Sequence, residues 1–134
     1  MQCKDQLHTV FEFSQTPKRI VSLVPSQTEL LIDLGLKKQV VGITKFCTHP
    51  TSLKDEKTIV GGTKTIHLDK IRALQPDIII CNKEENTKEI VALCATIAPV
   101  WVSDIYTLKD ALEMISLLGT LFEKEEKALS LIHI

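Results

Sequence analysis

Three short stretches carry the residue types that could do chemistry. Cys47-Thr-His49-Pro50 sets a thiol and an imidazole two residues apart, donors that suit zinc and its neighbours. The pair supplies two ligands where a structural zinc site takes four. A metal-binding module centred on Cys47 and His49 is therefore one reading, and a loop lining a ligand cleft is the plainer one. As a nucleophile and base, Cys47 and His49 have no evident Asn or Asp to orient the imidazole. Gly61-Gly-Thr-Lys-Thr65 resembles a phosphate loop in composition but lacks the G-x-x-x-x-G-K spacing. That makes the phosphate-loop reading weak, and a tight turn that uses glycine dihedrals is the plainer account. The third stretch is Pro25-Ser-Gln27. It follows the apolar, β-branched run of residues 20–24 and precedes a helical pattern, with Ser26 and Glu29 spaced as a capping box. Such a turn brings free backbone N–H groups to the carboxyl end of a strand, where open α/β sheets bind ligands.

The elements that must position these residues alternate. Residues 20–24, 40–44, 58–60, 78–81 and 99–102 read as strands, and Ile78-Ile-Ile-Cys81 is the clearest buried one. Between them lie helical patterns. Leu30, Leu31 and Leu34 share a face, with Gly35 placed to end the helix. Leu68, Ile71 and Leu74 line a short helix with Asp69 in its first turn. Asn86, with Glu89 three residues on, opens the next, whose apolar side is Ile90, Val91, Leu93, Cys94 and Ile97. Thr107 caps the last, with Asp110 three later and a stripe of Leu108, Ala111, Leu112, Ile115, Leu118 and Phe122. That pattern runs through residues 123–127 and reaches the end of the chain with no Gly, Pro or cap. Residues 45–57 read as a polar loop. The expected fold class is α/β: a mainly parallel sheet flanked by helices, a Rossmann-like lobe with right-handed crossovers. The loops at 25–27, 46–50, 61–65 and 82–85 then gather on one edge, the expected binding edge.

Composition narrows the classes. The chain has 134 residues, 44% hydrophobic and 25% charged, with a net charge of −1. That is ordinary for a globular domain with one core and gives no reason to expect nucleic acid or an anionic membrane as partner. No apolar run approaches the roughly 20 residues of a membrane span. The first residues lack the apolar core of an export signal, and no small-residue lipoprotein box precedes Cys3. The four cysteines, Cys3, Cys47, Cys81 and Cys94, show no C-x-x-C, and buried thiols fit this much core better than a disulfide framework. A flavodoxin-like regulatory domain would need a phosphate-binding glycine pattern or an acidic cluster at strand ends, and neither is evident.

Four pieces, in order, resemble the helical-backbone substrate-binding proteins of ABC importers, which serve vitamin B12, ferric siderophores, haem and some metals. They are Pro17-Lys-Arg-Ile-Val-Ser-Leu-Val-Pro-Ser-Gln-Thr-Glu-Leu-Leu31, Val41-Gly-Ile-Thr-Lys-Phe-Cys-Thr-His-Pro50, Val60-Gly-Gly-Thr63 and Leu68-Asp-Lys-Ile-Arg-Ala-Leu-Gln-Pro-Asp-Ile-Ile-Ile80. The resemblance runs from about residue 5 to the end, with residues 5–13 similar to the family's N-terminal hairpin. It implies an extracytoplasmic, non-enzymatic protein with no intrinsic cofactor, monomeric at full length, that captures a metal-bearing small molecule (a corrinoid, a ferric siderophore or haem) for a membrane permease. It implies an N-terminal lobe over residues 1–106. Residues 107–134 would begin the long helix leading to a second lobe, and a fragment without that lobe should bind little. By the same resemblance Pro25, Ser26, Gln27, Phe46, Cys47, His49, Gly62, Thr63 and Asn82 line the cleft, and Phe46 offers a ring to the ligand. Thr63 and Asn82 stand where B12-binding relatives carry aromatics. Asp69 matches the acid that faces permease arginines.

Overall fold

The computed structural model describes residues 2–47 and 52–133. A small antiparallel hairpin, β1 (Gln2–Lys4) and β2 (Val10–Glu12), opens the chain. The five apolar runs then form one sheet: β3 (Ile20–Ser22), β4 (Val40–Ile43), β5 (Thr58–Ile59), β6 (Ile78–Asn82) and β7 (Val100–Ser103). Its order is β5-β4-β3-β6-β7 and every neighbouring pair is parallel. The chain winds outwards from β3 to β5, returns, and winds the other way through β6 and β7. The reversal of strand order falls between β3 and β6, where doubly wound sheets open a crevice at their carboxyl edge.

Alternation along the strands feeds two cores. In β6, all buried, Ile78 and Ile80 face one apolar cluster while Ile79 and Cys81 face the other. Helices α1 (Pro25–Asp33), α5 (Leu108–Leu121) and α6 (Glu125–Ile132) cover the first face with Leu31, Leu34, Met114, Leu118, Leu121 and Ala128. Helices α3 (Leu68–Ala73) and α4 (Lys88–Ala95) cover the second with Ile71, Ile90 and Cys94. A sheet buried on both faces is what continuous β-branched strands require. Trp101 is fully buried, and its indole N–H donates to the Lys4 carbonyl at 3.1 Å. The buried Asp5 carboxylate accepts from the backbone N–H of Leu7, Thr9 and Val102. Together these contacts clamp the hairpin onto β7.

Several local expectations are corrected. Ser26 is not the N-cap of α1. Val24 holds that place with no side-chain cap, and Pro25 takes the first helical position, which its fixed φ suits. Asn86 does not cap α4 either. Thr87 does, accepting from the Ile90 N–H at 3.1 Å. Leu93 and Leu108 lie outside the cores, 43% and 77% exposed. Of the expected α5 stripe Leu118 and Phe122 are buried, and the buried line along the helix is Met114, Leu118 and Leu121, at i, i+4 and i+7. Part of the polar loop coils into α2 (Leu53–Glu56), with Leu53 buried. The capping box of Thr107 and Asp110 forms as expected. Gly35 ends α1 with φ +87°: its N–H reaches the Ile32 carbonyl, and the Leu36 N–H reaches Leu31.

The largest difference is in the last element. The helical pattern does not run on through residues 123–127. It breaks at Glu123, which adopts φ 55°, while the N–H groups of Glu123 and Lys124 return to the carbonyls of Thr120 and Gly119. That is the same closing motif as at Gly35, without the glycine. Helix α6 then folds back on α5. Gly119 permits the approach: a Cβ there would collide with the Ala128 methyl.

Candidate functional site

The carboxyl ends of β3, β6 and β7 meet in a buried polar cluster. Ser103 Oγ accepts from the side-chain amides of Gln27 and Asn82, the latter at 2.9 Å. The Asn82 side-chain oxygen accepts from the N–H groups of Glu84 and Glu85 at 2.9 and 3.0 Å, which shapes the turn after β6. Asn86 receives the Asn82 N–H at 2.8 Å, and its own amide donates to the carbonyls of Leu23 at 3.3 Å and Thr63 at 3.0 Å. A single side chain thus ties the ends of β3 and β6 to the loop after β5. Thr28 completes the layer, bonded to Ser22 Oγ and the Val24 carbonyl. The crevice at the reversal of strand order is therefore filled by the protein's own amides.

Open space lies to one side, beyond β4 and β5. A cavity of about 440 Å³ is walled by Phe46, Gly61, Gly62 and Thr63 and by the basic side chains of Lys45, Lys64 and Lys70. The Phe46 ring is 55% exposed and leans on Gly62, where an added Cβ would stand 3.1 Å from the ring. Lys45 Nζ sits 5.2 Å from the ring centroid on a cation–π contact. The wall is held by backbone: Lys45 N–H to the Gly61 carbonyl at 2.8 Å and Gly62 N–H to Thr65 at 2.7 Å.

The nine expected ligand-edge residues separate accordingly. Phe46, Gly62 and Thr63 line the cavity. Pro25 is half-buried and Ser26 exposed at the neighbouring turn. Gln27 and Asn82 are buried, with their amides turned into the cluster. Cys47 is buried within the first apolar core rather than at the cleft surface. His49 lies outside the described residues, so of the Cys47–His49 pair only the cysteine is described. Among the described residues no three His, Cys, Asp or Glu side chains gather as a metal group. Asp69 is exposed in the first turn of α3. Sequence reasoning missed Asn86 as a tie, the three lysines, and Tyr106. The Tyr106 ring is exposed where β7 leads into α5, and its hydroxyl donates to Glu84 at 2.8 Å. That bond to a carboxylate, with Asp104 nearby, raises its pKa. A lone aromatic three residues past a buried strand end was the available signal.

A family model for the periplasmic binding protein matches residues 20–133. The chain belongs to the periplasmic binding protein family. Its relatives in that family include an uncharacterized ABC transporter substrate-binding lipoprotein of Bacillus subtilis, 30% identical over 84% of this chain and 36% of its own length. A vitamin B12-binding protein of Vibrio campbellii is 32% identical over 81% of this chain and 40% of its own. The solved iron uptake ABC transporter substrate-binding protein of Streptococcus pneumoniae superposes with a TM-score of 0.81 at 28% identity, covering 96% of this chain and 47% of that one. The chain thus spans less than half the length of these relatives. Among the described residues no helix is long and apolar enough to cross a membrane.

Proposed function

We propose that this chain is the first lobe of an ABC importer's substrate-binding protein, which captures a metal-bearing small molecule outside the cytoplasm and delivers it to the permease. The role is non-catalytic, and the ligand class is a corrinoid, a ferric siderophore or haem. The observation that carries the reading is the Phe46 ring: apolar, more than half exposed, and braced on Gly62 at the rim of a cavity on the carboxyl edge. An aromatic held open in this way has no core to serve and suits a flat or apolar ligand face. The family membership and the B12-binding and iron-uptake relatives support the cargo class. The open cavity fits half of a cleft, with a second lobe supplying the other wall and the protein acting as a monomer.

The test is calorimetry on the full-length protein with cyanocobalamin, haemin and ferric siderophores. One of them should bind, and Phe46→Ala should weaken it about three- to tenfold, the worth of one ring contact. Thermal stability should be unchanged, because the ring is exposed. Binding of none of these classes would refute the reading.

A further inference from the structure

We infer that the ligand carries carboxylates and that the lysine-lined cavity beside Phe46 receives one of them. The inference rests on the substrate-binding reading above and narrows its cargo to anionic complexes. Three facts point the same way. The cavity is walled by Lys45, Lys64 and Lys70, and none of its lining residues is acidic. In a chain whose net charge is −1, that is a local concentration of one sign. Among the described residues none of the three is ion-paired; the two ion pairs found are Lys37–Glu56 and Lys83–Asp104. Lys64 donates to the Glu84 carbonyl at 3.0 Å, which holds its ammonium group beside the cavity while leaving its charge unneutralised.

The geometry sorts ligand from ligand. A volume of about 440 Å³ accepts a pendant arm, and the larger body of a metal complex would lie across the exposed Phe46 ring. Lys45 spans both parts, since its ammonium group stands over that ring at 5.2 Å and also lines the cavity. A ring or chelate bearing carboxylate arms meets apolar surface and positive charge at once. A ligand with an uncharged periphery leaves three cations facing it unpaired, so the site discriminates by charge.

The experiment measures binding of ferric citrate, haemin and cyanocobalamin to the full-length protein at low and high salt. The two carboxylate-bearing probes should bind at least about tenfold more tightly than cyanocobalamin at low salt, and the gap should narrow as salt rises. Lys45→Gln and Lys70→Gln should each weaken the anionic probe by up to about fivefold, as partly exposed charge contacts do. Lys83→Gln, whose partner is Asp104, should leave it unchanged. Preference for cyanocobalamin, or affinity for an anionic probe indifferent to both substitutions and to salt, overturns the inference while the substrate-binding reading stands. Binding of none of the three, nor of any ferric siderophore, overturns both.

Discussion

Asn82 and Thr63 show how two polar residues in equivalent roles on paper become unlike in space. By resemblance both are expected at positions where B12-binding relatives carry aromatics. Thr63 is half-buried on the cavity wall, so Thr63→Trp should fold normally and add ring surface to the site. Asn82 is turned inwards, and its amide holds Ser103 and two backbone N–H groups. Asn82→Trp should therefore strand those donors and cost about 1–3 kcal/mol, seen as a lower thermal midpoint with Thr63→Trp unchanged; equal midpoints would refute the distinction. The sequence could place both residues on the carboxyl edge because each follows a strand. It could not orient them, since the inward turn of Asn82 depends on the backbone path of residues 84 and 85. The cysteines were more legible. Cys81 and Cys94 are buried against each other, and the hydrogen bond to Cys94 together with burial pushes the Cys81 thiol up. Cys3 is only half-buried, with its pKa raised mainly by desolvation. Native alkylation followed by mass spectrometry should label Cys3 first, at a rate still climbing above the usual thiol pKa of roughly 8.5. Prior labelling of Cys81 would contradict the packing described.

At the scale of elements, helix ends were the least legible feature, because several residues near each end could serve as caps. Ser26, Asn86 and Thr107 all carry capping side chains, and only Thr107 caps. Pro25 claimed the first helical position before Ser26 could act, and Asn86 was drawn into the polar cluster. The Thr107 box has a pH signature. Backbone N–H groups, that of Tyr106 first and then of Thr107, hold the Asp110 carboxyl below its ordinary pKa. A folded pKa below the unfolded one means the contribution is present above the unfolded value and is lost as pH falls through the folded value. Acidification should therefore loosen the start of α5, read as a lower amide protection factor at Asp110 once the intrinsic pH dependence of exchange is divided out. Asp110→Asn should remove that acid sensitivity, and its persistence would show that another group is responsible. The break between α5 and α6 escaped sequence reading because its left-handed residue is Glu123, not glycine. Glu123→Gly should relieve that strain and raise stability by up to about 1 kcal/mol. A continuous helix through this segment would make the same substitution destabilising by a similar amount, so the sign of the shift in thermal midpoint decides between the two.

For the whole molecule, the parallel sheet and its cover of helices were readable in the chain because both follow from local pattern: β-branched runs alternating with amphipathic helices admit few topologies. The position of the open cavity was not, since it depends on which crevice the buried amides fill. That displacement bears on how the protein would meet a permease. The cavity runs from Phe46 past Gly62 to Lys70, so its outer end reaches α3, the helix whose first turn exposes Asp69. If Asp69 meets arginines of a membrane partner, docking and capture would use adjacent surfaces of one short helix, with Ile71 anchoring it in the core. Asp69→Arg in the full-length protein should leave ligand affinity within about twofold, because exposed charges outside the cavity contribute little. Stability should fall by no more than about 0.3–1 kcal/mol, the worth of an acid near a helix N-terminus. Uptake should fall sharply, because a like charge would face the arginines and repulsion costs more than a lost contact. Affinity by calorimetry and uptake into proteoliposomes separate the outcomes. Undiminished uptake would end the docking role, whereas affinity and uptake lost together would place Asp69 in the binding site with Lys70.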